Sequence, residues 1–267
     1  HNLQVRLHGP ISPQASKWVK EDHRTIEELE TNMIEFTTAF AKKFNKEPTV
    51  KWMDVVNETI LPNGKWFGPK KGTNKWENPW LKIGLDDNGC PLYILKAFEI
   101  ATKYATNIKL VYNHNAGMES FMWDKVKETI LYIRSKGYRV DGIGWQAHIG
   151  LSASTKAILE NTDEELRKLS DLIDWAHKNN LEFHITELDY FVKDNNKLSE
   201  EHQKQAEIYA KIVNILREKI KSGVVTLNFW DMAVRTKKGK EGAFHSIYDS
   251  DFKPTPAYKA INLLSKN

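Results

Sequence analysis

Val50-Lys-Trp-Met-Asp-Val-Val-Asn-Glu58 and Phe183-His-Ile-Thr-Glu187-Leu-Asp189 are built alike: a run of apolar and β-favouring residues closes on a glutamate. Near-continuous apolar runs of this length are the mark of strands buried on both faces, as in parallel sheets covered by helices. A carboxylate where such a strand reaches a loop is where a parallel αβ barrel does its chemistry. The two stretches therefore predict a parallel sheet and, with it, a pair of acidic groups at strand ends.

Four further runs have the same character: Leu3 to His8, Ile108 to Asn113, Val140 to His148 and Val224 to Asp231. Between the runs, apolar residues recur at helical spacing. The stripes are Ile26, Leu29, Met33, Phe36, Phe40 and Phe44; Trp123, Val126, Ile130 and Ile133; Leu166, Leu169, Ile173 and Ala176; and Ala206, Tyr209, Val213, Leu216 and Ile220. Thr25 with Glu28 and Thr162 with Glu165 have capping-box spacing, while Gly137 and Gly223 follow the last apolar turns, where a left-handed stop is expected. The order is β-α repeated, which predicts an α/β chain of the (β/α)8 TIM-barrel class. Six strands are visible where a closed barrel needs eight. The expectation is that two βα units, on the order of 60 to 90 residues, precede His1, are supplied by another segment or chain, or have been removed; six strands alone would leave two open edges.

At 267 residues, 40% hydrophobic and 28% charged, the sequence can bury a sizeable core, and residues 1–267 read as one catalytic domain without linkers or low-complexity segments. The formal charge is +4, with basic and acidic residues interspersed, which is no nucleic-acid footprint. Cys90 is the sole cysteine and excludes an internal disulfide or a cysteine metal cluster. No run approaches the roughly 18 apolar residues of a membrane span. Motifs for metal hydrolysis, phosphate binding or a serine nucleophile are missing, and His23, His114, His177, His202 and His245 lack ligand spacing, so neither metal nor cofactor is expected.

Two carboxyl groups about 5 to 5.5 Å apart can cleave a glycosidic bond with retention, one protonating the leaving oxygen and the other attacking the anomeric carbon. A lone glutamate at a strand end marks an exposed rim as readily as a catalyst. Glu58, Glu187 and the amide of Asn57, which can hold a sugar hydroxyl, together favour the chemistry. The irregular stretch from Leu61 to Pro91 carries Pro62, Gly64, Gly68, Gly72 and four aromatics. Of these, Trp66 and Trp76 could stack on sugar or simply pack, and Trp80 reads as core.

Trp-Met-Asp-Val-Val-Asn-Glu58 and Ile-Thr-Glu187-Leu-Asp resemble the two catalytic strand ends of glycoside hydrolase family 10, the endo-β-1,4-xylanases. Gly142-Ile-Gly-Trp-Gln146-Ala-His148 is similar to the family's Gly-Ile-Gly-Met-Gln-Gly-His strand, Tyr112-Asn113-His-Asn115 to its Tyr-Asn-Asp-Tyr-Asn segment, and Pro254-Thr-Pro256-Ala-Tyr258 to its tail. The resemblance runs from near residue 6 to the final helix. It implies a retaining endo-β-1,4-xylanase with Glu58 as acid/base, Glu187 as nucleophile and Asn57 on the 2-hydroxyl. Gln146 and His148 would line the same subsite, His148 bonding Glu187. By pattern alone a histidine on an apolar strand is a packed residue; the resemblance reverses that for His148, whereas His184 stays with the core and Asp189 with support.

The resemblance is imperfect at both ends. Val5-Arg6-Leu7-His8 resembles the family's Val-Arg-Gly-His, which implies sugar contact for His8, but the expected Trp-His is replaced within Gly9-Pro10-Ile11-Ser12-Pro13-Gln14. Loss of an aromatic wall is expected there, and the family's early Glu-Asn...Lys set has no counterpart. Leu227 to Arg235 is compressed relative to the family, leaving Trp230 as the candidate floor for the reacting sugar. The implied partners are xylan and xylo-oligosaccharides, and a polymer substrate implies an extracellular, periplasmic or cell-surface address. A retaining enzyme acting on cellulose or short oligosaccharides, or an inactive carbohydrate-binding fragment, are the alternatives.

Overall fold

The computed structural model describes residues 3–20, 25–70, 76–193, 198–236 and 241–265; His23 and Gly72, named above, lie outside them. In chain order the elements are β1 (Val5–Leu7), α1 (Lys17–Lys20), α2 (Ile26–Phe44), β2 (Val50–Asn57), a short 3-10 turn (Pro79–Ile83), α3 (Leu92–Tyr104), β3 (Lys109–His114), α4 (Ser120–Ser135) and β4 (Gly142–Trp145). They continue with β5 (His148–Ile149), α5 (Ala153–Glu160), α6 (Thr162–Lys178), β6 (Glu182–Val192), α7 (Leu198–Lys219), β7 (Val225–Phe229), β8 (Arg235–Thr236), β9 (Ala243–His245) and α8 (Pro256–Ser265). Each of the six predicted runs contains a strand, and each of the four stripes lies on a helix except for Ile220, one residue past the end of α7. Two compact units result, His1–His114 with Ser120–Gly144, and Asn115–Glu119 with Trp145–Asn267.

In the first unit β1, β2 and β3 are parallel neighbours, with Leu7 beside Met53 and Asn57 beside Asn113. Residues Met53 to Glu58 are buried without a break, the covering of both faces that the apolar run predicts. Helix α2 starts with the expected reciprocal cap: Glu28 N–H donates to Thr25 Oγ1 at 3.2 Å and Thr25 N–H to Glu28 Oε2 at 2.9 Å. Helix α3, which the stripes did not include, buries Tyr93, Ile94, Ala97, Phe98, Ile100 and Ala101 on one face, with Lys96, Glu99 and Lys103 on the other. Burying each large side chain of this kind contributes roughly 1.5–3 kcal/mol. Gly137 does adopt the left-handed stop after α4, at φ 83°.

In the second unit β5, β6 and β7 run parallel, while the far end of β6 turns to an antiparallel pairing with β9, Tyr190 facing His245 and Val192 facing Ala243. Two local expectations are corrected here. Thr162 is the first residue inside α6 and does not cap it: its hydroxyl donates to Ile158 O at 2.7 Å, and the N-cap is Asn161. Gly223 makes no left-handed turn; a Cβ there would lie 2.5 Å from the His177 ring, so what a side chain would meet is a neighbouring side chain and not backbone strain.

Candidate active site

Glu58 follows β2 directly and has φ 54°, in the left-handed region where a side chain costs on the order of 1–3 kcal/mol. Ala147, between Gln146 and His148, has φ 64°. Such conformations persist only where the surroundings over-determine them; one falls at Glu58 and another between Gln146 and His148, while Ala116, Asn180 and Phe252 adopt them elsewhere. The Glu58 N–H donates to Asn113 O at 3.3 Å. Its buried carboxylate accepts from Asn57 Nδ2 at Oε1, 3.3 Å, and from the indole Nε1 of Trp76 at Oε2, 3.0 Å. Asn113 Nδ2 in turn donates to Asn57 Oδ1 at 3.1 Å, so the Asn57 amide is orientated from one side and hands its N–H to Glu58 on the other. His114, also buried, accepts the Ile60 N–H at Nε2, which leaves its ring proton on Nδ1. His8 lies just past β1 with Nδ1 3.5 Å from Asp54 Oδ2, and Arg6 reaches the same carboxylate at 2.7 Å.

The other glutamate has a different support. Ala147 turns the chain so that β5 lies along β6, pairing His148 with Asp189. The imidazole then spans two carboxylates: Nε2 is 3.1 Å from Glu187 Oε2 and Nδ1 is 2.8 Å from Asp189 Oδ1. Carboxylates only accept when ionised, so both ring nitrogens donate and the ring is an imidazolium. Burial works against that charge, but the hydrogen bonds to Asp189 and Glu187 outweigh it and push the His148 pKa up to about 10. Burial raises the Asp189 carboxyl, opposed by His148 and by Arg235, whose Nη2 is 3.8 Å from Oδ2. With Asp189 accepting from a cation at 2.8 Å, the charged pair is the arrangement the geometry supports. Arg235 is also bonded to Asp231 and stacks over Phe244 at 4.3 Å. Trp230, directly after β7, sets its ring edge-on to His148 at 6.1 Å and is 40% exposed. Gln146 is buried in the same unit.

The structure thus joins Asn57 to Glu58, and His148 to Glu187 and Trp230. Sequence reasoning missed Asn113, Arg235 and Phe244 as supports and left Trp76 undecided. Trp66 donates to Gly89 O at 2.9 Å, and buried Trp80 to Ser12 O at 3.3 Å, both structural bonds. His184 is buried, with Nδ1 2.8 Å from Thr226 Oγ1.

The profile of Glycosyl hydrolase family 10 matches residues 1–263. The chain belongs to glycosyl hydrolase family 10. It is 26% identical over 278 aligned residues to "Endo-1,4-beta-xylanase A" of Thermoanaerobacterium saccharolyticum, covering 98% of this chain and 21% of that protein. It is 27% identical, over 98% of its length and 23% of the relative's, to "Exoglucanase XynX" of Acetivibrio thermocellus. The chain therefore spans less than a quarter of these two relatives. Xylanase 10B of Thermotoga petrophila RKU-1 in complex with xylobiose superposes with TM-score 0.71 at 26% identity, over 95% of this chain and 70% of that one. The fold class is accordingly the family 10 (β/α)8 barrel class.

Proposed function

We propose that this family 10 chain is a retaining endo-β-1,4-xylanase that hydrolyses internal bonds of xylan and xylo-oligosaccharides by double displacement. The observation that carries the reading is the contrast between the two glutamates, one held by neutral N–H donors from Asn57 and Trp76, the other bound to the His148 imidazolium. The two carboxyl groups thus have different supports, as the two roles require. Glu58 protonates the departing glycosidic oxygen while Glu187 attacks the anomeric carbon; Glu58, now ionised, then takes a proton from the water that releases the xylosyl-enzyme. Asn57 holds the 2-hydroxyl, and His8, Gln146, His148 and Trp230 line the sugar site.

The xylanase relatives support the substrate. Glu58→Ala and Glu187→Ala should each lower turnover on xylan by about a thousandfold or more without loss of folding. A 2-fluoroxylobioside should label Glu187. Wild-type rates in either variant, or a label elsewhere, overturn the assignment. The exoglucanase relative favours a second reading, a retaining enzyme of the same mechanism acting on β-1,4-glucan, and initial rates on xylan against carboxymethylcellulose separate the two. Xylo-oligosaccharide binding without release of reducing sugar would instead indicate an inactive binding fragment. The address is extracellular, periplasmic or cell-surface, because a polymer substrate is met there, and a second segment or chain completes the barrel.

A further inference from the structure

Trp76 lies in the irregular stretch after β2, eighteen residues beyond Glu58, and its two ends face different surroundings. The indole N–H is aimed at Glu58 Oε2, a buried carboxylate, at 3.0 Å, while the residue as a whole is 44% exposed. The Lys20 ammonium is 5.8 Å from the ring centroid. The next residue is anchored: Glu77 is buried and its carboxylate accepts the Lys70 N–H at 2.5 Å, and Asn78 donates to Tyr93 OH at 3.1 Å. The ring is therefore presented from a braced backbone. An indole N–H is a donor without acceptor capacity and does not titrate near neutral pH, so it can orient a carboxyl without diverting the proton that carboxyl must deliver.

We propose that Trp76 is a positioning residue for the acid/base step: its N–H fixes the Glu58 carboxyl against the leaving oxygen, and its exposed face meets the sugar on the leaving-group side. The assignment rests on the reading of Glu58 as acid/base. A donor to the ionised carboxylate favours that form, so its removal lets the protonated form persist to higher pH.

The test uses the full chain with Trp76→Phe, which keeps a ring and deletes the N–H, and Trp76→Ala, which deletes both. Aryl β-xylobiosides distinguish acid assistance from general damage, since a phenyl leaving group needs the proton and a dinitrophenyl group does not. Trp76→Phe should lose about tenfold in kcat/KM on the phenyl glycoside, the scale of one hydrogen bond to a charged group, and within about twofold on the dinitrophenyl glycoside. Its alkaline pH limb should move upward. Trp76→Ala should add a rise in KM on xylo-oligosaccharides. Equal losses on both glycosides with an unmoved pH limb, or no loss at all, overturn the role of Trp76 while leaving the glycosidase reading intact. A wild-type chain inactive on both glycosides overturns that reading and this one together.

Discussion

His148 shows how much one side chain can decide. Between Glu187 and Asp189 it is the cation that makes two nearby buried carboxylates tolerable. Removing one partner of such a buried set typically costs about 3–5 kcal/mol, because the remaining charges stay desolvated. His148→Gln should therefore lower the thermal midpoint markedly at pH 7. The sign with pH follows from a pKa that folding raises from near 6.5 to about 10: the imidazolium's stabilisation is full below about 6.5 and is lost as pH climbs towards 10. The gap in midpoint between wild type and variant should shrink over that interval, and a gap independent of pH would remove the imidazolium from the account. His245 carries the opposite sign. Burial and then His202, 2.9 Å away, press its pKa down to about 4, so its share is present above about 6.5 and falls away as pH drops towards 4. Glu58, Glu187 and Asn57 were legible as candidates because each lies where an apolar run meets a loop. The tie of His148 to Asp189, and of Trp76 to Glu58, was not, since each joins residues far apart in sequence with no pattern linking them.

At the level of elements, the strands could be read because burial on both faces writes itself as an unbroken apolar run. The weaker signals failed where geometry outweighed pattern: β8 and β9 have only two and three residues, and Thr162 sits one position inside its helix. The two glycines with tight surroundings make the point testable. A Cβ at Gly9 would come 2.7 Å from Asp54 O, a backbone atom fixed within β2, whereas at Gly223 it would meet the His177 side chain. A carbonyl in a paired strand cannot yield, but an imidazole at the surface can swing away. Gly9→Ala should therefore cost about 2 kcal/mol in denaturant unfolding, and Gly223→Ala clearly less. The reverse order would mean that β2 adjusts more readily than the His177 ring. Thr25→Ala, which dismantles the reciprocal cap of α2, should cost about 1 kcal/mol and leave activity untouched.

At the scale of the whole molecule, β1 in the first unit and β5 and β7 in the second each pair along a single side among the described residues. In the first, β1 pairs with β2, and Leu3, Val5, Ile26 and Phe36 are exposed. In the second, β7 pairs with β6, and Ile220 and Val224 are exposed. Unpaired strand edges are templates for further strands, which closed barrels avoid by having no edges. The βα repeat was legible from the sequence, because counting runs needs no tertiary information. If a further segment completes the sheet, the 267-residue chain by itself should self-associate in light scattering at micromolar concentration and bind a hydrophobic dye. Supplying a segment of two βα units, covalently or in trans, should suppress both and raise the thermal midpoint. A monodisperse chain that binds no dye would mean that these edges need no added strands, and the expectation of a completing segment would fall while the assignments of Glu58 and Glu187 stood.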